Sequence, residues 1–198
     1  EKPARKNAPA QRTVGLMPPR VGRRQKKQMM QAEKYTFRDA LAADLPRIVE
    51  IYNSTIAARM STADTEPVSV ESREQWFREH NPRKRPLWVI EDDTQALCGW
   101  VSFQSFYGRP AYDATVEISI YLDTEHRGMG LGKIALQYSI DHAPEFGVKT
   151  ILGFIFSHNL PSLALFGRFG FEQWADLPRV AILDGEERGL KILGRRIG

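Results

Sequence analysis

The chain has 198 residues, 42% hydrophobic and 10% aromatic, which suits one globular domain of ordinary size. No run of about 18 apolar residues, as a membrane-spanning helix needs, occurs in it. The net charge of +4 is unevenly placed: residues 1–34 carry ten Lys/Arg against two Glu, and the remainder 18 Lys/Arg against 22 Asp/Glu. Residues 1–34 therefore read as a basic, disordered extension, and residues 35–198 as a mildly acidic domain. The run Arg23-Arg24-Gln25-Lys26-Lys27 suits acidic surfaces, but without interleaved aromatics it gives little reason to expect nucleic acid. A single cysteine, Cys98, excludes an intrachain disulfide and points to a reducing, cytoplasmic setting. The four histidines (His80, His126, His142, His158) form no metal-ligand spacing, so no metal site is expected.

Residues 35–39 read as a first strand. A helix follows from near Asp44, its N-cap, with Pro46 tolerated in the first turn and Leu45, Ile48, Tyr52 and Ile56 at helical spacing. After a loop over residues 61–68, Ser69 is placed to cap a second helix bearing Trp76 and Phe77, which Asn81-Pro82 ends. Residues 87–91, 96–106 and 114–122 read as three strands, separated by a turn at Asp92-Asp93 and a hairpin loop at Gly108-Arg109-Pro110. A third helix begins near Gly130, with Ile134, Leu136 and Ile140 on its apolar side, and ends near Ala143-Pro144. Residues 150–156 form a fifth strand, and residues 160–169 a fourth helix that Gly170 stops. Residues 172–183 and 190–197 complete the pattern as two strands around Asp184-Gly185.

The most informative segment is Arg127-Gly128-Met129-Gly130-Leu131-Gly132-Lys133, between the fourth strand and the third helix. The first turn of a helix has unpaired N–H groups and a partial positive charge, and glycines let the main chain close on an anion. This is a loop for a pyrophosphate. It is not a Walker A loop, because Ile134 follows Lys133 where Ser or Thr is required. Nor is it the dinucleotide fingerprint, whose glycine spacing differs.

The segment resembles the coenzyme A loop of the GNAT superfamily of N-acetyltransferases. Asn159-Leu160-Pro161-Ser162, leading to Phe166-Gly167-Arg168-Phe169-Gly170-Phe171, resembles that family's Asn-x-x-Ser helix ending in Gly-Phe. Ala111-Tyr112-Asp113-Ala114-Thr115-Val116-Glu117-Ile118-Ser119-Ile120-Tyr121 resembles its phosphinothricin and methionine sulfoximine acetyltransferase branch, as do Ile51-Tyr52-Asn53 and Thr65-Glu66-Pro67. The resemblance implies an α/β (α+β) fold: a mixed, mostly antiparallel sheet of about seven strands flanked by four helices, with strands four and five splayed. It implies acetyl-CoA as cosubstrate. The pantetheine arm would pair with the backbone of Ile120, Tyr121 and Leu122, residues 127–133 would surround the pyrophosphate, and Asn159 and Ser162 would contact the arm. For Asn159 a helix-cap role is the alternative, and the two are compatible.

By the same resemblance Glu117 is the general base; from its residue type alone it reads instead as an exposed carboxylate on a half-buried strand. Phe166 stands where many members have a proton-donating tyrosine. Tyr52, Arg73, Phe106 and Tyr112, with Arg59, Thr62 and Arg109, are candidates for the acceptor pocket. The acceptor implied is the primary amine of a small amino acid or analogue, resembling phosphinothricin or methionine sulfone. A protein lysine or N-terminal acetyltransferase and a non-catalytic acyl-CoA-binding module are the competing readings. Homodimers are expected, since related enzymes often pair.

Overall fold

The computed structural model describes residues 34–197; the basic extension expected over residues 1–34 lies almost wholly outside them. The strands are β1 (Thr36–Asp39), β2 (Leu87–Glu91), β3 (Leu97–Ser105), β4 (Thr115–Leu122), β5 (Thr150–Phe156), β6 (Glu172–Leu183) and β7 (Glu186–Arg196). They form one sheet in the order β1-β2-β3-β4-β5-β7-β6. Every neighbouring pair is antiparallel except β4 and β5, which run parallel. The helices are α1 (Leu45–Asn53), α2 (Val70–Glu79), α3 (Leu131–His142) and α4 (Leu160–Arg168).

Helices cover both faces of the sheet, which is why β2 reads as an unbroken apolar run rather than an alternating one. Trp88 and Ile90 point into a core with Phe103, Val116, Leu136 and Phe166. Leu87 and Val89 point the other way, into a second core with Ile48, Ile51 and Trp100. Gly153 of β5 lets Phe166 lie flat on the strand: a Cβ there would stand 2.6 Å from the Phe166 ring. Gly153→Ala is therefore expected to destabilise the fold by about 1–3 kcal/mol through overpacking, as read by urea denaturation.

The parallel pairing of β4 and β5 spans only Thr115–Thr150, Val116–Ile151 and Glu117–Leu152. Beyond Glu117 the two strands part, and the edge of residues 118–122 that faces β5 has no strand partner. The splay expected of strands four and five is thus present, and it leaves a gap within the sheet.

Three local expectations are corrected. Asp44 does not cap α1: its backbone is helical (φ −80°, ψ −18°), and its carboxylate accepts the Leu41 N–H at 2.7 Å while holding Arg38. It closes the short 3₁₀ turn Ala42–Asp44, which runs straight into α1. Ile56 does not lie on α1, which stops at Asn53; it belongs to a separate 3₁₀ turn, Ile56–Ala58. β7 starts at Glu186, four residues before the first apolar signal at Leu190. Asp184 and Gly185 both take positive φ (53° and 81°), the geometry of a two-residue hairpin turn, so pairing resumes at once through polar residues.

Candidate active site

The loop from β4 to α3 is built by local hydrogen bonds. Asp123 accepts the Glu125 N–H at 2.9 Å, capping the turn Thr124–His126, and is also held by Arg47. Gly128 and Gly130 adopt φ of +74° and +88°, a region that costs other residues about 1–2 kcal/mol. The N–H groups of Lys133 and Ile134 both turn back to the Gly130 carbonyl. The amides of Gly128, Gly130, Leu131 and Gly132 have no backbone acceptor among the described residues. They sit at the positive end of α3, as an anion cradle requires. The Leu131 side chain is buried in the core, so only its backbone serves the cradle.

A cleft of about 1330 Å³ opens in front of this cradle. Arg127, Lys133, Arg168 and Arg195 all line it, so its walls are strongly cationic. Arg127 folds back so that its guanidinium donates to the Leu122 carbonyl at 3.2 and 3.3 Å, on the unpaired edge of β4. Met129 is half exposed beside it. Asn159 caps α4, its Oδ1 accepting the Ser162 N–H at 3.2 Å, and its Nδ2 donates to the Met60 carbonyl at 2.9 Å. The neighbouring His158 Nε2 lies 2.7 Å from the Arg59 carbonyl. Residues 158 and 159 thus clamp the α1–α2 loop against α4. Ser162 also lines the cleft.

The cleft continues between the splayed strands as a chamber of about 520 Å³, past Ile120 and Tyr121 to Glu117. The Glu117 carboxylate makes no hydrogen bond or ion pair among the described residues, and burial raises its pKa above the ordinary value. On its other side lies a smaller pocket of about 190 Å³ under α1 and α2, walled by Tyr52, Trp76, Trp100 and Tyr121. Trp100 and Tyr121 stack at 4.6 Å between centroids. The Tyr52 hydroxyl donates to Asp64 at 2.5 Å, Arg73 donates to the same carboxylate at 2.8 Å, and Arg73 lies 4.7 Å over the Tyr52 ring. The arrangement is two chambers, one cationic and long, the other aromatic and small, joined at an unpaired carboxylate.

Residues 47–171 match the family model described as "Acetyltransferase (GNAT) family". The chain belongs to the GNAT family of acetyltransferases. It is 50% identical over 162 residues, covering 82% of this chain and 99% of the relative, to the Bacillus subtilis protein named "Putative phosphinothricin acetyltransferase YwnH". It is 32% identical to an L-methionine sulfoximine/L-methionine sulfone acetyltransferase of Pseudomonas aeruginosa, over 73% of this chain and 84% of that one. Among solved structures, a GNAT superfamily phosphinothricin acetyltransferase from Sinorhizobium meliloti in complex with AcCoA superposes with a TM-score of 0.78 at 30% identity, covering 83% of this chain and 89% of that one.

Within this GNAT fold the sequence-based site residues fall into two groups. Glu117, Ile120, Tyr121, Leu122, Arg127, Gly128, Gly130, Gly132, Lys133, Asn159 and Ser162 line the connected chambers, and Tyr52 and Arg73 line the small pocket. Phe106, Arg109 and Tyr112 do not reach these chambers. The β3–β4 hairpin carries them beyond the Gln104–Glu117 pair to a separate surface pocket of about 450 Å³, where the Phe106 and Tyr112 rings pack edge to face. Arg59 points away as well, its guanidinium bound to Asp184 at 2.8 and 2.9 Å. Thr62 is buried and bonded to the Tyr52 hydroxyl. Cys98 is fully buried and its thiol is pushed up to about 12, as befits a packing residue.

Sequence reasoning missed Ser102, Gln104 and Ser119 in the small pocket and Arg168 and Arg195 in the cleft. Ser119 was within reach, since strand alternation places it on the face of Glu117 and Tyr121. The others depend on strand register and on the approach of β7 to α4, which one sequence does not display.

Proposed function

We propose that this enzyme moves the acetyl group of acetyl-CoA to the primary amine of a small amino acid or amino-acid analogue by direct attack. The observation that carries the reading is the position of Glu117, unpaired and half-buried, where the long cationic cleft meets the 190 Å³ pocket. Acetyl-CoA, when bound, supplies the acyl group as an activated thioester.

The chain's own groups do the rest. The free amides of Gly128, Gly130, Leu131 and Gly132 suit a diphosphate, and the open edge of β4 suits an arm bearing amide groups. An α-amino group has a pKa near 8, about 7.7–8.0, so at neutral pH Glu117 has a modest task in taking its proton. Arg73 spends one N–H on Asp64 and keeps others for an acceptor carboxylate. Phe166 offers no proton to the departing sulfur; Ser162, which lines the same cleft, is the chain's own candidate.

Pocket size favours a small acceptor over a protein. A pocket of about 190 Å³ suits a small acceptor rather than the several residues a peptide would bring. Cytoplasmic action and pairing into a homodimer belong to the same reading; light scattering on the purified protein measures the second.

The test is thiol release from acetyl-CoA across methionine sulfone, phosphinothricin and lysine peptides. Turnover of an amino-acid analogue supports the reading. Turnover of lysine peptides alone makes the protein a protein acetyltransferase, and coenzyme binding without turnover of any amine makes it a binding module. Arg73→Met is expected to raise the acceptor KM by about 10–100-fold, the worth of a charged hydrogen-bonded pair, with kcat little changed. Steady-state kinetics in the acceptor check this.

A further inference from the structure

Tyr52 of α1, Thr62 and Asp64 of the α1–α2 loop and Arg73 of α2 meet in one group of hydrogen bonds beside the small pocket. The chemistry of the groups fixes the direction of each bond. A carboxylate only accepts, so the Tyr52 hydroxyl gives its one proton to Asp64, at 2.5 Å. The Tyr52 oxygen lies 2.5 Å from the Thr62 hydroxyl and therefore accepts from it. Thr62 Oγ1 in turn accepts the Asp64 N–H at 3.1 Å, which closes a ring from the Asp64 amide to its own carboxylate. Burial, and after it the bond to Asp64, raises the Tyr52 pKa above the ordinary phenol value, so the donor keeps its proton near neutral pH.

Arg73 is the cation attached to this ring. Its Nη2 donates at 2.8 Å to Oδ2 of Asp64, the same oxygen that accepts from Tyr52, and its Cζ lies 4.7 Å over the Tyr52 ring. The guanidinium is thus held at one corner and from one face. It makes no other hydrogen bond among the described residues, so the rest of its N–H fork is free. Tyr52 and Arg73 line the pocket that Glu117 also lines; Thr62 and Asp64 stand behind that wall.

We propose that Asp64 is a positioning residue: from behind the wall it fixes the Arg73 guanidinium so that the free edge of the fork is already ordered for the acceptor's carboxylate. The inference rests on the reading that the acceptor is a small amino acid whose amine meets Glu117. A bidentate pair needs the fork in one plane. An arginine ordered only on binding loses its rotamer freedom at that moment, and holding it beforehand removes that loss. The opposite role, in which Asp64 competes with the acceptor for Arg73, is the weaker effect. Asp64 takes a single N–H, and with the two side chains 41% and 27% exposed, water screens the charge it contributes.

L-methionine sulfone and its methyl ester share a skeleton and differ in the charge of the carboxyl group. The experiment compares them in wild type, Asp64→Asn and Thr62→Val, by steady-state kinetics and by equilibrium binding followed through Trp76 and Trp100 of the pocket. Asp64→Asn removes the charge that holds Arg73; Thr62→Val keeps that charge and opens the ring behind it. Wild type is expected to favour the free acid over the ester by tenfold or more, roughly. Each variant is expected to raise KM for the free acid by about 2–10-fold, with kcat and the KM values for the ester and acetyl-CoA unchanged. A ring that only held the loop in place would weaken both acceptors alike and lower the melting temperature with them.

A lower KM for the free acid in Asp64→Asn makes Asp64 a competitor and overturns the inference. So does an acid-to-ester ratio unaltered in that variant, a wild type indifferent to the carboxyl charge, or no binding of either compound. Asp64-dependent binding of the free acid without turnover supports the positioning role and removes acetyl transfer. Glu117-dependent turnover with an acid-to-ester ratio that Asp64→Asn leaves unaltered does the reverse.

Discussion

Replacing Glu117 by Gln is expected to lower kcat by about 10²–10⁴-fold, the usual worth of a positioned general base, while the affinity for acetyl-CoA stays unchanged. The side chain keeps its shape and loses only its capacity to accept a proton. Burial raises the Glu117 pKa, so the acid limb of the wild-type kcat/KM profile should lie above the ordinary carboxylate range. That limb should be missing from the residual activity of the variant. Stability supplies an independent readout. A carboxyl whose folded pKa is raised favours the folded state while protonated, and that contribution fades as pH climbs from its unfolded value through its folded one. At neutral pH the wild type therefore carries an unpaired, partly desolvated charge that Glu117→Gln removes. The variant should melt higher than wild type at pH 7, and the gap should close on going below the reference value of 4.5. Equal turnover in the two proteins removes Glu117 as the base.

Gly132→Glu is the second large effect. Gly132 is helical and has no positive φ, and an added Cβ would meet Leu165 and Leu122 at 3.4 and 3.6 Å, ordinary contact distances. The fold should therefore tolerate a side chain there. A carboxylate at that point enters the cleft beside the unpaired amides and opposes a diphosphate. Like charges set together cost several kcal/mol, so coenzyme affinity should fall by about 100-fold or more with the melting temperature little changed. Gly130→Ala behaves differently. Its φ of +88° strains any L-residue, so stability and affinity should fall together. Isothermal titration and thermal melts on the two variants separate loss of the cradle's charge complementarity from loss of its backbone shape. Unchanged affinity in Gly132→Glu places the diphosphate elsewhere.

Much of the fold was legible because local signals agreed with one another. Ser69 caps α2 through the Ser72 N–H, as its position before Trp76 and Phe77 suggested. The alternation of Gly128 and Gly130 before an amphipathic run marked the start of α3, and both take the positive φ that only glycine adopts freely. Asp44 misled because it holds Arg38 and Leu41, partners that lie outside α1. On the cationic side the expected residues do share one cleft, because they come from contiguous backbone. The acceptor side was much less legible. Phe106 and Tyr112 look like ligand residues in a loop, yet the hairpin carries them away from Glu117. Ser102 and Gln104 look like polar interruptions on either side of Phe103, and only pairing with β4 reveals them as neighbours of Ser119 and Glu117.

The short parallel seam between β4 and β5 divides the sheet into two leaves that part beyond Glu117 while sharing the core beneath them. One leaf, β1 to β4 with α1 and α2, owns the aromatic pocket; the other, β5, β7 and β6, joins it through three paired residues, the hold of His158 and Asn159 on the α1–α2 loop, the Arg59–Asp184 ion pair and the shared core around Phe103, Val116 and Ile151. A molecule laid along the open edge of β4 acts as a missing rib, and its gain is shared by both leaves. A guest in the long cleft and a guest in the small pocket would therefore share the β4 strand as a common wall.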